Sequence, residues 1–509
     1  MGVRHANGER GLTGEELAQR VAQATTGLAS LGVQAGDGVA LMLRNDIAFF
    51  EAAMAAGQLG AYAAPINWHY KGDEAGYIVR DCQAKALVVH ADLLPQIVGD
   101  VPFELPVLVV ETPFGVRAAY GIDAASARVP PERIDWDEWV DSQAAWREPP
   151  KVAPQSQIYT SGTTGRPKGV RREPMTPGQQ AANLAAYRTV FGIEPSMRTV
   201  VTGPLYHSAP NGYALTAARS GGDVILQPRF DAEELLRLIE QEQVTHLHMV
   251  PTMFVRLLKL PEEVRARHDI ASLRHVVHAA APCPVEVKRA MIDWWGPVIH
   301  EYYGATETGA VVFCDSAEWL AHPGTVGRPL EGATVRVYGE QGELLPPGEI
   351  GELYMRADHV ADFTYHGRDE ARAEIERDGL VTVGDVGYFD RDGYLHLCDR
   401  KKDMVISGGV NIYPAEIEAV LVTMPGVRDC AVFGVPDGEM GENVAAVVEP
   451  QGGADLSADE VRRFLRDRIA HYKVPKLIEF QTDLPREDSG KIFKRRIRER
   501  YWESAGRRI

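Results

Sequence analysis

Tyr159-Thr-Ser-Gly-Thr-Thr-Gly-Arg-Pro-Lys-Gly-Val170 follows a short apolar stretch and is dense in glycine, hydroxyl and positive charge. Gly162, Gly165 and Gly169 let the backbone approach a ligand closely. Ser161, Thr163 and Thr164 add hydroxyl donors and Lys168 a point charge, which together make a phosphate cradle. It is not a Walker sequence, because Lys168 follows a proline and is followed by neither serine nor threonine. A bland flexible loop would account for glycine and serine, but not for this order of residues.

On both sides of this run the hydrophobic pattern alternates between strand and helix. Upstream, Thr13-Gly-Glu-Glu16 has the form of a capping box, and Leu17, Val21, Ala24, Leu28 and Leu31 recur at helical spacing up to Gly32. Val39 to Leu43 reads as a buried strand, Ile47 to Leu59 as a helix ending near Gly60, and Ala86 to Val89 as a strand. Downstream, Asp223 to Leu226, Val244 to Val250 and Val298 to Tyr302 read as strands, with helices over Ala232 to Glu242 and Val285 to Trp295. This is an α/β pattern of parallel sheets covered by helices. After about residue 330 the texture changes to Gly- and Pro-punctuated segments, Thr334 to Tyr338, Gly351 to Arg356 and Gly393 to Leu397, predicting a β-rich subdomain. Beyond the charged run Asp399-Arg-Lys-Lys-Asp403 a fresh α+β series includes Ala415 to Val422, Ala431 to Val435 and Ala458 to Ile469. The expected boundary is at Arg400 to Lys402, dividing residues 1–400 from 401–509.

A chain of 509 residues exceeds what one hydrophobic core can organise. Its 45% hydrophobic and 25% charged content is that of an ordinary globular protein. A net charge of −17 disfavours nucleic acid and anionic membrane as partners, so anionic ligands have to be held locally. Cys82, Cys283, Cys314, Cys398 and Cys430 are widely separated and lack zinc-ligand spacing, which predicts reduced thiols. The charged start, Met1 to Arg10, has no apolar core, and nowhere do 18 uncharged apolar residues run together. No integral membrane segment is expected, and the default compartment is the cytoplasm.

Further motifs follow in order: Glu301-Tyr-Tyr-Gly-Ala-Thr-Glu307, Gly384-Asp385 with Arg400, Ser407-Gly-Gly-Val-Asn-Ile-Tyr-Pro414, and Pro485-Arg-Glu-Asp-Ser-Gly-Lys491. With the Gly-rich run they make nearly the whole chain resemble the adenylate-forming enzymes, the superfamily of acyl-CoA synthetases, nonribosomal adenylation domains and beetle luciferases. The likeness is greatest to ligases of medium- to long-chain or bulky acids. It departs at the N-terminus, where this sequence enters the pattern at the first helix. The resemblance implies a large N-terminal domain of two mostly parallel, helix-covered sheets plus the β-rich subdomain, and a small, mobile α+β C-terminal domain. It also implies the reaction: a carboxylic acid and ATP give an acyl adenylate and pyrophosphate, and the acyl group then passes to coenzyme A.

The resemblance assigns Thr160, Ser161, Gly162, Thr163, Thr164, Gly165 and Lys168 to the phosphates, and Asp385 and Arg400 to the ribose. Chemistry agrees: Tyr303 offers a π-face for adenine, Thr306 a hydroxyl for the α-phosphate, and Glu307 a hard oxygen ligand for Mg²⁺. Asp385 can accept both ribose hydroxyl protons and Arg400 presents a fixed fork of donors. Outside these motifs Glu307 would read as a solvated surface residue, and Asp385 or Arg400 as half of a surface ion pair. Lys491 sits in a basic tail, where a solvated lysine is the usual reading. As the family's catalytic lysine it would stabilise negative charge between acid and phosphate, an effect worth roughly 3 kcal/mol by analogy with single oxyanion donors. His207, in Gly203-Pro-Leu-Tyr-His-Ser-Ala209, is as readily a structural histidine. By resemblance it is a catalytic-site residue at the aromatic gate between acid pocket and pantetheine tunnel, where it would position the acyl group without carrying a proton. The acid pocket is expected to include His207, Asn211, Gly212, Ala279, Ala280, Ala281 and Gly304, whose small side chains leave room for a long or bulky acid. Gly408 and Gly409 would border the coenzyme A tunnel, and Lys402 would be the hinge for rotation of the C-terminal domain.

Two alternatives stay open: a ligase that works in one half-reaction or loads a carrier protein, and a nucleotide or acyl binder without activity. Homodimerisation is also open.

Overall fold

His5 and Asp46 are joined by a hydrogen bond of 2.9 Å, and that bond shows how the first residues are packed. In the computed structural model, which describes residues 2–160, 166–486 and 492–503, Gly2–His5 is a strand. It pairs in parallel with Asp223–Leu226 and antiparallel with Gly11–Thr13. Two strands thus precede the first helix, where the sequence suggested a later entry; strands of three and four residues carry too little periodicity to read. Asp46 Oδ2 bonds His90 Nε2 at 3.0 Å, and Oδ1 accepts from Ile47 N to cap the next helix. Burial alone would raise the Asp46 carboxyl, but the bonds from His5 and His90 outweigh it and hold the group well below the usual carboxylate range.

The capping box forms as expected: Thr13 Oγ1 accepts from Glu16 N at 3.2 Å, while Thr13 N donates to the Glu16 carboxylate at 2.8 Å. It starts the helix Gly14–Ser30. The following helix, Ile47–Gln58, is buried nearly all round, the pattern of a helix inside a core. Phe49 and Phe50 are fully buried, each contributing about 1.5–3 kcal/mol. The buried carboxylate Glu51 is held there by Arg20 Nε at 2.5 Å and Trp136 Nε1 at 2.7 Å.

Two large sheets share this core with the helices between them. One is parallel throughout, in the order Tyr62–Pro65, Gly38–Met42, Ala84–His90, Val107–Val110, Ile134–Asp135. The other has nine strands. Its parallel centre runs Gly2–His5, Asp223–Leu226, Arg198–Val201, His246–Met249, His275–His278, Ile299–Ala305, with antiparallel strands at both edges. A three-stranded antiparallel sheet joins Phe363–Tyr365, Lys168–Arg172 and Ile158–Thr160. The β-rich region contains Ala333–Tyr338, Gly351–Ala357, Asp385–Phe389 and Leu395–Arg400. A last sheet, begun by Val405–Ser407, packs against the helices Pro414–Leu421 and Ala458–Arg466. The fold is the expected one, two largely parallel helix-covered sheets, a β-rich region and an α+β C-terminal domain. Among the described residues no helix is long and apolar enough to cross a membrane.

Candidate active site

The strand ends of these sheets surround one cleft of about 940 Å³. Thr160 ends one short strand and Lys168 begins the next; Ser161, Gly162, Thr163, Thr164 and Gly165, which join them, lie outside the described residues. Across the cleft, Glu307 follows the strand Ile299–Ala305. Glu307 Oε1 accepts from Tyr365 OH at 2.9 Å and from Thr160 Oγ1 at 3.4 Å, while Oε2 has no partner among the described residues. Beneath the motif, the buried Arg172 donates from Nη2 to the carbonyls of Thr306 at 3.0 Å and Glu307 at 2.5 Å, and from Nη1 to that of Ala361. Burial lowers its pKa to about 10, with Glu307 and Asp362 opposing the fall. One guanidinium therefore fixes the backbone that presents both Thr306 and Glu307. Thr306 Oγ1 lies 3.0 Å from Ser208 Oγ. A Cβ on Gly304 would fall 2.0 Å from the carbonyl oxygen of Gly309, so no side chain fits at that irregularity in the strand pair.

On the opposite side Asp385 is gripped from two directions, by Tyr303 OH at 2.8 Å and Arg400 Nε at 3.2 Å. Tyr303 is only 7% exposed, packs in the core with Val311, Val337 and Leu353, and is not part of the cleft wall; its neighbour Tyr302 is. The expected open π-face is thus corrected by strand alternation, which points adjacent tyrosines to opposite sides. Burial, reinforced by Asp385, raises the Tyr303 pKa and keeps the phenol a donor. Lys401 is tied to Glu352 at 2.9 Å, and Lys402 lines the cleft.

Towards the core, His207 stands at the N-cap of the helix Ser208–Arg219 with its ring 4.4 Å from that of Tyr206. Asn211 lines the cleft but spends its Nδ2 on the carbonyl of Leu205 at 3.0 Å. A Cβ on Gly212 would lie 2.7 Å from Tyr187 OH, so glycine makes room for that hydroxyl. Ala279 and Ala280 also form wall, Ala280 with a left-handed φ of +75° that is uncommon outside glycine. Ala281 is exposed and outside the cleft wall, contrary to expectation, because the chain turns away after Ala280. Gly408 and Gly409, with φ of +56° and +81°, are the two-residue turn between Val405–Ser407 and Val410–Ile412, and they do not line the cleft. Positive φ at both positions is what a tight hairpin of this kind demands. Lys491 lies outside the described residues.

The family model described as "AMP-binding enzyme" matches residues 3–363, and that described as "AMP-binding enzyme C-terminal domain" matches residues 416–491. The chain belongs to the AMP-binding enzyme family. A feruloyl-CoA synthase of Amycolatopsis sp. is 38% identical over 504 residues, covering 98% of this chain and 95% of its own. An indoleacetate–CoA ligase of Aromatoleum aromaticum (strain DSM 19018 / LMG 30748 / EbN1) is 32% identical over 499 residues, covering 96% and 93%. Among solved structures, the anthranilate CoA ligase AuaEII in complex with anthranoyl-AMP superposes with a TM-score of 0.83 at 25% identity, covering 99% of this chain and 95% of that one. Within the AMP-binding enzyme family the chain is an ATP-dependent acid–thiol ligase that forms an acyl adenylate and transfers the acyl group to coenzyme A.

Thr160, Lys168, His207, Asn211, Gly212, Ala279, Ala280, Gly304, Thr306, Glu307, Asp385, Arg400 and Lys402 all meet in the one cleft of this AMP-binding enzyme. Sequence reasoning missed Arg172, Tyr365, Tyr187 and Arg219. Arg171-Arg172 reads as a solvated pair until the three-stranded sheet buries the second residue. Tyr365 meets Glu307 only through that same sheet. Tyr187 and Arg219 lie on helices whose apolar pattern names no special position.

Proposed function

We infer that this ligase activates a ring-bearing carboxylic acid. The observation that carries the reading is the continuity of the cleft: it runs from Asp385 and Arg400 past Thr306 and Glu307 into an extension walled by Ala53, Ala61, Ala63, Val190, Phe191 and Leu215. Acetate would leave most of that apolar wall uncovered, whereas a ring with a short linker covers it. The names of the relatives, feruloyl, indoleacetate and anthranilate, support an aromatic acid.

Nucleotide binding is assigned to Thr160 through Gly165 and Lys168 for the phosphates, with Asp385 and Arg400 for the ribose. Glu307 suits Mg²⁺: it offers one hard carboxylate oxygen without a partner among the described residues, beside the Thr160 hydroxyl. A site with a single carboxylate fits an ion that keeps several waters and takes its remaining ligands from phosphate. When bound there the ion would neutralise phosphate charge. Thr306 orients the α-phosphate and Lys491 places a positive charge between the two reacting anions. His207 shapes the passage to the thiol. Residues 1–400 form the adenylating domain and 401–509 the domain that moves, with Lys402 at the hinge and Gly408 and Gly409 along the coenzyme A path. The free cysteines fit a reducing compartment, the cytoplasm.

A panel of acetate, decanoate, benzoate, phenylacetate and cinnamate, assayed for pyrophosphate release and acyl-CoA formation, tests the reading. The ring acids with a linker should exceed acetate in kcat/KM by at least about a hundredfold. A preference for decanoate over every ring acid would overturn it.

A further inference from the structure

The helix Ser208–Arg219 runs along the acid side of the cleft, with Ser208, Gly212, Leu215 and Arg219 all on the wall. Its first residue touches Thr306, at the reacting end. Its last residue is therefore roughly 16 Å further on, from eleven rises along the helix. A helical side chain leans back toward the N-terminus, so the Arg219 guanidinium reaches into the extension and shortens the gap to roughly 10 Å. That is the span of one ring plus a short linker.

The polar atoms along this wall are unusual, from the Tyr187 hydroxyl beside Gly212 to the guanidinium of Arg219 beyond it. Arg219 makes no hydrogen bond and no ion pair among the described residues, although the Gly57 position lies beside it, with an added Cβ 3.6 Å from its Nη2. Arg219 keeps exposed surface and lines the cleft, and desolvation of its charged end lowers its pKa against the partial support of Tyr187. The Tyr187 hydroxyl, which the absent side chain of Gly212 accommodates, has no hydrogen-bond partner among the described residues either. One helical turn earlier, Asn183 also lines the cleft, and its Nδ2 is buried without a hydrogen-bond partner among the described residues. Asn183 and Tyr187 share one face of the helix Pro177–Phe191 by their i, i+4 spacing. A guanidinium, an amide and a phenol, each able to donate, thus line a stretch of the cleft that also includes Ala53, Ala61, Val190, Phe191 and Leu215.

Covering these donors with a hydrocarbon tail would strip their water and return nothing, which is most costly for the charged group. An acceptor oxygen on the substrate would restore the lost bonds. Resting on the ring-acid reading, we propose that Arg219, with Tyr187 and Asn183, forms a subsite for an acceptor oxygen at the end of the acid remote from the carboxyl that is activated. Carbonyl, phenol oxygen and a second carboxylate share this chemistry. Arg219 is a specificity residue here and takes no part in the bond changes at the adenylate.

The test compares acids matched in skeleton: cinnamate against its 4-hydroxy, 4-methoxy and 4-carboxy counterparts, and decanoate against its terminally hydroxylated counterpart. The readout is the ratio of kcat/KM values for pyrophosphate release within each pair. Wild type should favour the oxygenated member by at least tenfold, about 1.4 kcal/mol. R219M should abolish most of that ratio and Y187F a smaller part, while R219K retains some of it; thermal melting checks folding in each. Preference for the 4-carboxy acid alone identifies a second carboxylate as the ligand, and equal preference for hydroxy and methoxy identifies a neutral acceptor. Ring acids turned over without preference, and unchanged by R219M, overturn the subsite while leaving the ring-acid reading intact. If only the alkyl pair is turned over, the ring-acid reading fails, and that pair still decides the subsite by the same ratio.

Discussion

Glu307 is held at two points, its side chain and its backbone. Both hydroxyl donors, from Tyr365 and Thr160, fall on Oε1, which orients the carboxylate and leaves Oε2 without a partner among the described residues. Arg172 fixes the same residue through its carbonyl, so the side chain is held without neutralising its charge directly. Lys491 is the proposed counterpart from the far end of the sequence. In adenylation a carboxylate oxygen attacks the α-phosphorus as pyrophosphate leaves, and a cation between the two anions lowers that barrier by roughly 3 kcal/mol. Lys491→Ala should therefore cut adenylate formation from acid and ATP by at least about a hundredfold. Thioester formation from supplied acyl adenylate, which needs no phosphoryl attack, should stay within about threefold of wild type. Both rates are measurable on one preparation, and an equal loss of both with an unchanged melting temperature would remove Lys491 from that role.

At the scale of the element, the hairpin Val405–Ile412 carries a prediction that the turn geometry sharpens. Gly409 has φ of +81°, and a Cβ there would meet nothing within 4 Å. A large residue is thus disfavoured by backbone strain of about 1–3 kcal/mol, not by crowding. Asparagine tolerates this conformation better than leucine. If the turn borders the coenzyme A path, Gly409→Asn and Gly409→Leu should both leave pyrophosphate release near wild type and lower acyl-CoA formation at least tenfold. If it serves only as a turn, Gly409→Asn should form acyl-CoA normally and only the leucine variant should melt early. The same contrast between local and long-range causes explains what the sequence made legible. The helices Gly14–Ser30, Ala232–Glu242 and Val285–Trp295 have periodicity, and the first has its cap written beside it. The strand Gly2–His5 exists because His5 finds Asp46 and the strand pairs with Asp223–Leu226, partners far away in sequence. The motif residues were legible because their order is specific, whereas Arg172, Tyr187 and Arg219 gain meaning only from what folding leaves beside them. Tyr303 was misjudged for the same reason: its motif names the residue, but the pairing of its strand decides which face it takes.

For the whole molecule the question is how one carbonyl meets a lysine and then a thiol. The strand Leu395–Arg400 belongs to the β-rich sheet and Val405–Ser407 to the last one, so only four residues connect them. Lys401 is anchored by its N–H to the Gly384 carbonyl at 2.8 Å and by its ammonium to Glu352. The backbone N–H of Lys402 donates to no backbone carbonyl among the described residues, but the N–H groups of Asp403 and Met404 both donate to the Arg400 carbonyl, at 3.0 and 3.1 Å, and close a turn around Lys402 that a rotation there has to open. Elsewhere, Lys259 Nζ donates to the carbonyls of Val427 and Arg428, each at 2.8 Å, a contact between the two parts of the chain that the proposed rotation would have to release. Lys402→Pro fixes φ near −65° and removes a donor with no backbone acceptor. It should therefore trap one orientation at little cost to folding, keeping one half-reaction and lowering the other at least tenfold. Lys402→Ala, which leaves φ unconstrained, should retain both within about threefold. Lys259→Ala releases the contact without stiffening the hinge, so it should change the ratio of the two half-reactions while sparing each at least in part. Coupled turnover of Lys402→Pro equal to wild type would place the hinge elsewhere. In that case the Lys259 variant still reports whether the parts move, because a rigid pair of domains would lose stability on losing the contact but show no change in the ratio.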